Sequence, residues 1–317
     1  MRSRSSRWFS VGRILAMAVV AMSTTQSAKA EKRPSMELPA FRADSALVLV
    51  PVNVVDRRGA IVNGLARNAF LLTEDGVEQQ IRSFSEEDAP VSMGIVLDLS
   101  GSMKRSLGAA KQALRALLED ANPGDEAFLN AVSTRPRAYS GFTRDFDEIL
   151  HRVAFENAAG STALIDALYD SLKELRAGVH PRKALLVISD GMDNHSRYTS
   201  KELRELAVES DAQIYTIAPG DASAMAPFGK AMALSQQRQG LQFLDELAAR
   251  TGGIAFVVRD QKELAKAVVS IGHALRNQYT IGYVPHSDGR KAEWRRIKVK
   301  VAGSGLRAYA RAGYRPD

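Results

Sequence analysis

The sequence predicts an α/β protein: a doubly wound, mostly parallel sheet with flanking β segments at both ends. Three observations predict it. Between residues 91 and 277, short apolar or β-branched runs alternate with stretches of helical period. Two of those runs, SMGIVLDLS (92–100) and KALLVISDG (183–191), are apolar without alternation, as strands covered on both faces are. Outside this region the helical period disappears, and strand-like runs separated by turn residues take its place.

Taken in order, a polar linker (31–43) leads into SALVLVPVNVVD (45–56), a β-branched strand closed by the turn DRRG. NAFLLTEDG (68–76) and VEQQIRSFS (77–85) read as two strands about an Asp-Gly turn. Acidic, proline-containing EEDAPV (86–91) then separates this small β unit from the α/β region. After the first buried strand, SLGAAKQALRALLED (106–120) sets Leu107, Ala110, Leu114, Leu117 and Leu118 on one helical stripe. EAFLNAVST (126–134) is the next strand, FDEILHRVAF (146–155) a short helix, and TALIDALYDSLKELRAG (162–178) an amphipathic helix closed by Gly178. Beyond KALLVISDG come a helix (200–209), strand AQIYTIAPG (212–220), helix LQFLDELAART (241–251), strand GIAFVV (253–258) and helix KELAKAVVSIGHALRNQ (262–278). Strands alternating with helices call for a parallel sheet covered on both faces. The segment 221–240 follows no pattern and reads as a loop. QYTIGYVP (278–285), WRRIKVKVAG (294–303) and LRAYARAGY (306–314) return to β, and could pair with the amino-terminal strands because chain ends often lie close together.

A chain of 317 residues suits one large domain with appendages, or two domains. At 45% hydrophobic and 25% charged its composition is that of a globular protein. The absence of cysteine excludes disulfides, thiolate metal sites, a cysteine nucleophile and a lipidated cysteine anchor. Arg2, Arg4, Arg7 and Arg13 precede the apolar run 14–22, and AKA follows at 28–30, the pattern of a cleaved signal peptide. The apolar run is shorter than the roughly 20 residues that span a bilayer. The expected organisation is therefore a signal peptide (1–30), a linker (31–43), an amino-terminal β segment (44–90), the α/β domain (91–277) and a carboxyl-terminal β segment (278–317). The expected location is the periplasm or the extracellular space, with no transmembrane segment in the mature chain.

Residues 1–30 hold five of the 43 basic residues and none of the 36 acidic ones, which leaves 38 against 36 and a net charge of +2. The basic residues of the last forty positions read as a solvated strand face, so no nucleic-acid partner is expected.

In an open α/β sheet the loops leaving the carboxyl ends of the strands gather at one edge, where ligands bind. Three such loops carry hard oxygen donors. DLSGSM holds Asp98, Ser100 and Ser102; GSTAL (160–164) offers Thr162; ISDGMDN (188–194) places Asp190 before Gly191. Two carboxylates and three hydroxyls, without imidazole or thiolate, suit a hard dication, Mg²⁺, Mn²⁺ or Ca²⁺. Each piece also has a plainer reading. Ser100 or Ser102 could cap the helix beginning near 106, Thr162 could cap the next, and Asp-Gly is a common turn dipeptide.

The order Asp98-x-Ser100-x-Ser102, Thr162, Asp190 in SDG resembles a von Willebrand factor type A (VWA) domain, a Rossmann-like fold, with a complete metal-ion-dependent adhesion site (MIDAS). The resemblance covers about residues 91–277. The flanks are similar to those of a bacterial subfamily of exported proteins related to these domains. The resemblance implies that Ser100, Ser102 and Thr162 are direct or near-direct metal ligands, and that Asp98 and Asp190 bind directly or through water. It also implies that an Asp or Glu of a partner protein completes the shell, and that helix 262–278 matches the family's last helix. The expected function is an exported, metal-dependent protein-binding module of adhesion type. The alternative is an envelope scaffold in which the metal is structural only.

An enzyme is not expected. Ser102, Asp190 and His195 can be imagined as a hydrolase set, but DLSGSM lacks the G-x-S-x-G elbow. The five histidines show no H-E-x-x-H spacing, and no G-x-x-x-x-G-K phosphate loop is present.

Overall fold

Strand β1 (Val48–Val55) buries Val50, Val52 and Val54 on one face, and towards its end buries Asn53 and Val55 on the other as well. The structure is a computed structural model and describes residues 47–138, 141–220, 230–285 and 293–316, without the side chains of 230–234. The signal peptide expected at 1–30, the linker at 31–43 and residues 221–229 of the expected loop lie outside the described residues.

After β1 the chain forms β2 (Phe70–Glu74), β3 (Val77–Gln79) and β4 (Ile81–Asp88). The single strand expected over 77–85 is broken at Gln80, and β4 runs on through the acidic residues read as a separator. The α/β region follows with β5 (Val91–Asp98), α1 (Leu107–Glu119), β6 (Glu126–Val132), a short unanticipated β7 (Pro136–Ala138), α2 (Phe146–Ala154) and α3 (Leu164–Glu174). It continues through β8 (Arg182–Ile188), α4 (Ser200–Glu209), β9 (Gln213–Pro219), α5 (Lys230–Thr251), β10 (Ala255–Val258) and α6 (Gln261–Arg276). Helix α5 starts at Lys230, so residues 230–240 are helix where the sequence read as loop. The chain ends with β11 (Asn277–Tyr283), β12 (Arg295–Val301), β13 (Arg307–Ala310) and β14 (Gly313–Tyr314).

The central sheet has the order β10-β9-β8-β5-β6-β7, parallel throughout except for the β6–β7 hairpin. β5 and β6 are buried along their whole length, as two-sided cover requires. α1, α2 and α6 cover one face, where Leu114, Ile149 and Ile271 meet Ile95 and Leu129. α3, α4 and α5 cover the other, where Leu168, Leu203 and Leu247 meet Val96 and Leu185.

The remaining strands build two four-stranded antiparallel sheets, β13-β1-β11-β4 and β14-β12-β2-β3. They share a core of Val50, Val52, Phe70, Leu72, Ile81, Tyr279, Ile281, Tyr283 and Ile297. In the first sheet the strands alternate between the two ends of the chain, and in the second β12 pairs with β2. Neither end can complete its hydrogen-bond ladder without the other, and Ser45–Asp317 forms one compact unit. No helix among the described residues is long and apolar enough to cross a membrane.

Candidate functional site

Parallel strands point their carboxyl ends the same way, so the loops after β5 and β8 share one edge of the central sheet. The Thr162 loop, expected to leave a strand, instead joins α2 to α3 and is held at that edge by backbone bonds to Leu99, Gly101 and Ser133. β5 ends at Asp98, which is fully buried. Its Oδ1 accepts the Ser100 amide at 2.8 Å and its Oδ2 accepts the Ser189 hydroxyl at 2.6 Å. The Ser189 oxygen in turn accepts the Gly191 amide at 3.0 Å, so the strand end of β8 is tied to that of β5. Burial pushes the Asp98 carboxyl up to about 6 against the pull of these hydrogen bonds, and the neighbouring Asp190 charge adds to the rise.

After Asp98 the chain turns into a short 3₁₀ helix, Gly101–Arg105. The Ser100 and Ser102 hydroxyls lie 3.0 Å apart, Ser100 buried and Ser102 exposed. The second loop is pinned to the first through its backbone: Gly101 N–H donates to the Gly160 carbonyl at 3.0 Å and Ala159 N–H to Leu99 at 2.7 Å. Gly160 has φ +84°, a left-handed conformation that glycine adopts without strain. Two residues on lies Thr162, which is buried, and whose hydroxyl makes no hydrogen bond among the described residues.

The third loop places Asp190 at 8% exposure, with Oδ1 accepting the Met192 amide at 3.0 Å in the Asx turn expected of Asp-Gly. Gly191 has φ +78°, and a Cβ there would lie 2.3 Å from the Gly240 carbonyl oxygen. The part of α5 that the sequence did not predict therefore touches the Asp190 loop backbone to backbone.

The helix starts bear on the plain reading of these hydroxyls as caps. α2, α4 and α6 carry their own side-chain N-caps, Asp145, Thr199 with Glu202 in a capping box, and Asp260. α1, α3 and the 3₁₀ helix after Ser100, which open out of the site loops, have none. Neither Ser100, Ser102 nor Thr162 caps a helix. Instead the first turn of α3 is satisfied from the third loop: Ile165 N–H donates to Asp193 Oδ1 at 3.1 Å and Asp166 N–H to the Ser196 hydroxyl at 3.0 Å. Of the three hydroxyls only Ser100 stands at an N-cap position; Ser102 lies inside the 3₁₀ helix and Thr162 one residue before the Ala163 N-cap.

Asp98 and Asp190 form no ion pair among the described residues, and the donors to Asp98 are neutral. Two buried acids, the paired Ser100 and Ser102 hydroxyls and the Thr162 hydroxyl make a donor set that fits a hard dication, which would supply the missing positive charge. Among the described residues no three His, Cys, Asp or Glu gather as a metal cluster, so such a site depends on hydroxyls and water as well as acids. His195 is exposed and engages the site through its backbone, its N–H donating to the Thr162 carbonyl.

Sequence reasoning missed Ser189, Asp193, Asn194, Ser196 and Asp166. The first four lie within or beside ISDGMDN, but only their partners, 28 to 91 residues away, reveal what they do.

Residues 93–192 match the family model of the von Willebrand factor type A domain. No curated protein matches the sequence. Solved structures similar to the chain include a von Willebrand factor type A protein from Catenulispora acidiphila, 13% identical, covering 87% of this chain and 76% of that one with a TM-score of 0.48. Another is BatB from Bacteroides thetaiotaomicron, 17% identical, covering 58% and 98% with a TM-score of 0.46. A third is the vWF domain of the type V pili tip protein Mfa5 from Porphyromonas gingivalis, 13% identical, covering 59% and 95% with a TM-score of 0.45.

Proposed function

We propose that the chain, whose residues 93–192 match the family model of the von Willebrand factor type A domain, is an exported module that binds an acidic residue of a partner protein through a divalent cation. Ser100, Ser102 and Thr162 supply neutral oxygens, Asp98 and Asp190 the negative charge, and Mg²⁺, Mn²⁺ or Ca²⁺ is the ion this donor set suits. Bound there, the ion would supply a hard Lewis acid for an outside carboxylate. The chain's own part is to hold the oxygens in place and to keep the total charge of the ligands low.

The observation that supports the reading is the buried pair Asp98 and Asp190, which form no ion pair among the described residues and lie on the same sheet edge as the Ser100 and Ser102 hydroxyls. Ser100 stands at the N-cap of the 3₁₀ helix without capping it, and the Thr162 hydroxyl makes no hydrogen bond among the described residues. The rim agrees with an acidic partner. Lys104 and Arg105 on the first site loop and Arg135 on the turn between β6 and β7 are exposed and unpaired among the described residues, and the Arg197 side chain is 80% exposed. Such charges steer encounter and set partner choice. The enzyme reading finds no support in Ser102, whose hydroxyl hydrogen-bonds, among the described residues, to that of Ser100 alone.

The test is capture of partner proteins by the chain in Mg²⁺ and in chelator, repeated with Asp98→Ala. Capture lost under both conditions is the expected result; capture unchanged in both removes the proposal. If Mg²⁺ raises the melting temperature while no carboxylate-bearing protein is retained, the metal is structural and the scaffold alternative holds.

A further inference from the structure

Resting on that metal-site reading, we propose that Asp166, Asp193, Asn194 and Ser196 are positioning residues, a two-way clasp that holds the Thr162 and Asp190 loops in one fixed geometry. Each loop carries a candidate ligand, and each satisfies the other's backbone.

In one direction, the third loop caps α3. Asp193 Oδ1 accepts the Ile165 amide at 3.1 Å and also the Ser196 hydroxyl at 2.6 Å, while the Ser196 oxygen accepts the Asp166 amide at 3.0 Å. An anionic acceptor at this place also meets the positive end of the helix dipole. In the other direction, α3 holds the third loop. The Asp166 carboxylate, 3% exposed, accepts the amides of Arg197 at 2.8 Å and Tyr198 at 3.0 Å on Oδ1, and the Arg197 Nε at 3.2 Å on Oδ2. At the centre sits the backbone of Thr162 itself. Its N–H donates to Asn194 Oδ1, and its carbonyl accepts the amides of Asn194 and His195, all at 3.0 Å. Tyr169 and Tyr198 stack beside the clasp with ring centroids 3.8 Å apart.

Two consequences follow. Because the α3 amides are satisfied from outside, the Thr162 hydroxyl is left for another role. Because Thr162 is bonded on both sides of its peptide to the loop that begins at Asp190, neither loop can shift without breaking hydrogen bonds to buried groups. Both Asp166 oxygens and Asp193 Oδ1 are engaged by N–H and O–H donors, so these acids act through Thr162 and Asp190 rather than beside them. Groups that orient ligands in this way are typically worth ten- to a hundredfold in metal affinity.

The experiment compares the full chain with Ser196→Ala, Asp193→Ala, Asp166→Asn and the conservative Asp193→Asn, which keeps an acceptor oxygen. Amide hydrogen exchange is measured without metal, and Mg²⁺ affinity by titration calorimetry. The expected result is faster exchange at Ile165 and Asp166 in Asp193→Ala and Ser196→Ala, and at Arg197 and Tyr198 in Asp166→Asn. Mg²⁺ affinity should fall about tenfold or more, with Asp193→Asn close to the parent. Ser196→Ala removes one hydroxyl and serves if the acidic variants fold poorly. A parent that takes up no Mg²⁺ ends the metal reading and this inference together. A parent that binds, with Ser196→Ala and Asp193→Ala binding equally well, ends the inference alone.

Discussion

Tyr215→Phe tests whether the two ends of the chain and the α/β domain unfold as one body. The Tyr215 hydroxyl accepts Asn53 Nδ2 from β1 at 2.8 Å and donates to Gln213 Oε1 at 3.1 Å. Gln213 also takes Gln278 Nε2 from β11 at 2.6 Å and gives its own Nε2 to the Gly252 carbonyl at 3.1 Å. This network joins β9 of the central sheet to two strands of the small β unit, and Asn53 and Tyr215 are essentially inaccessible to solvent. Losing the hydroxyl leaves Gln213 with Gln278, but it strips Asn53 of its one partner, since Asn53 Oδ1 has none already.

An orphaned buried amide costs about 1–3 kcal/mol. With about 2 kcal/mol as the central value, a unit of this size melts about 4–6 °C lower. Replacing both partners, Asn53→Leu with Tyr215→Phe, should recover much of the loss, because no polar group is then stranded. Unfolding is followed by circular dichroism, which reports the helices of the α/β domain. Trp294 fluorescence, with Trp8 replaced by Phe, reports the β unit. Both probes should give one transition that moves together in Tyr215→Phe. The reasoning fails if the parent shows two separate transitions, or if the single variant lies within about 0.5 kcal/mol of it.

Burial, first among the causes, holds Tyr215, Tyr279, Tyr283 and Tyr314 above the ordinary tyrosine range. Their contribution is complete below the unfolded value of about 10 and is lost as pH rises through and beyond it, so the fold should weaken steeply in alkali. Tyr283→Phe, which removes a donor to Glu74 Oε2, should make this loss shallower in a pH series of melting curves; an unchanged slope contradicts it. Gly191→Ala places a Cβ against the Gly240 carbonyl in a left-handed backbone, and should destabilise the chain by about 2 kcal/mol or more in urea titration. Lys104→Glu with Arg105→Glu should slow association with an acidic partner about tenfold at low salt and little at high salt, measured by surface binding kinetics; equal rates at both would contradict the steering role of the rim.

Most elements and the three site loops were legible because their signals are local. The unbroken apolar runs of β5 and β8 announce buried parallel strands, and such strands must deliver Asp98 and Asp190 to the same edge. The acidic residues 86–88 misled because composition reads as linker. They form the end of an edge strand, where charged side chains face solvent while the backbone pairs with β11. The start of α5 was hidden because Gly240 looks like a loop residue, whereas it is a close approach to Gly191.

By itself the sequence determined the strand and helix periods, the fold class, and which side chains could offer oxygen to a cation at the sheet edge. Only the tertiary structure decided that the chain's two ends interleave in one β unit, that Ser189 holds Asp98, and that α3 is capped from another loop. Periodicity and turn chemistry are properties of neighbours in the chain, and a sequence displays them directly. A hydrogen bond between Asp193 and Ile165 depends on where two separate segments come to rest, which packing alone fixes.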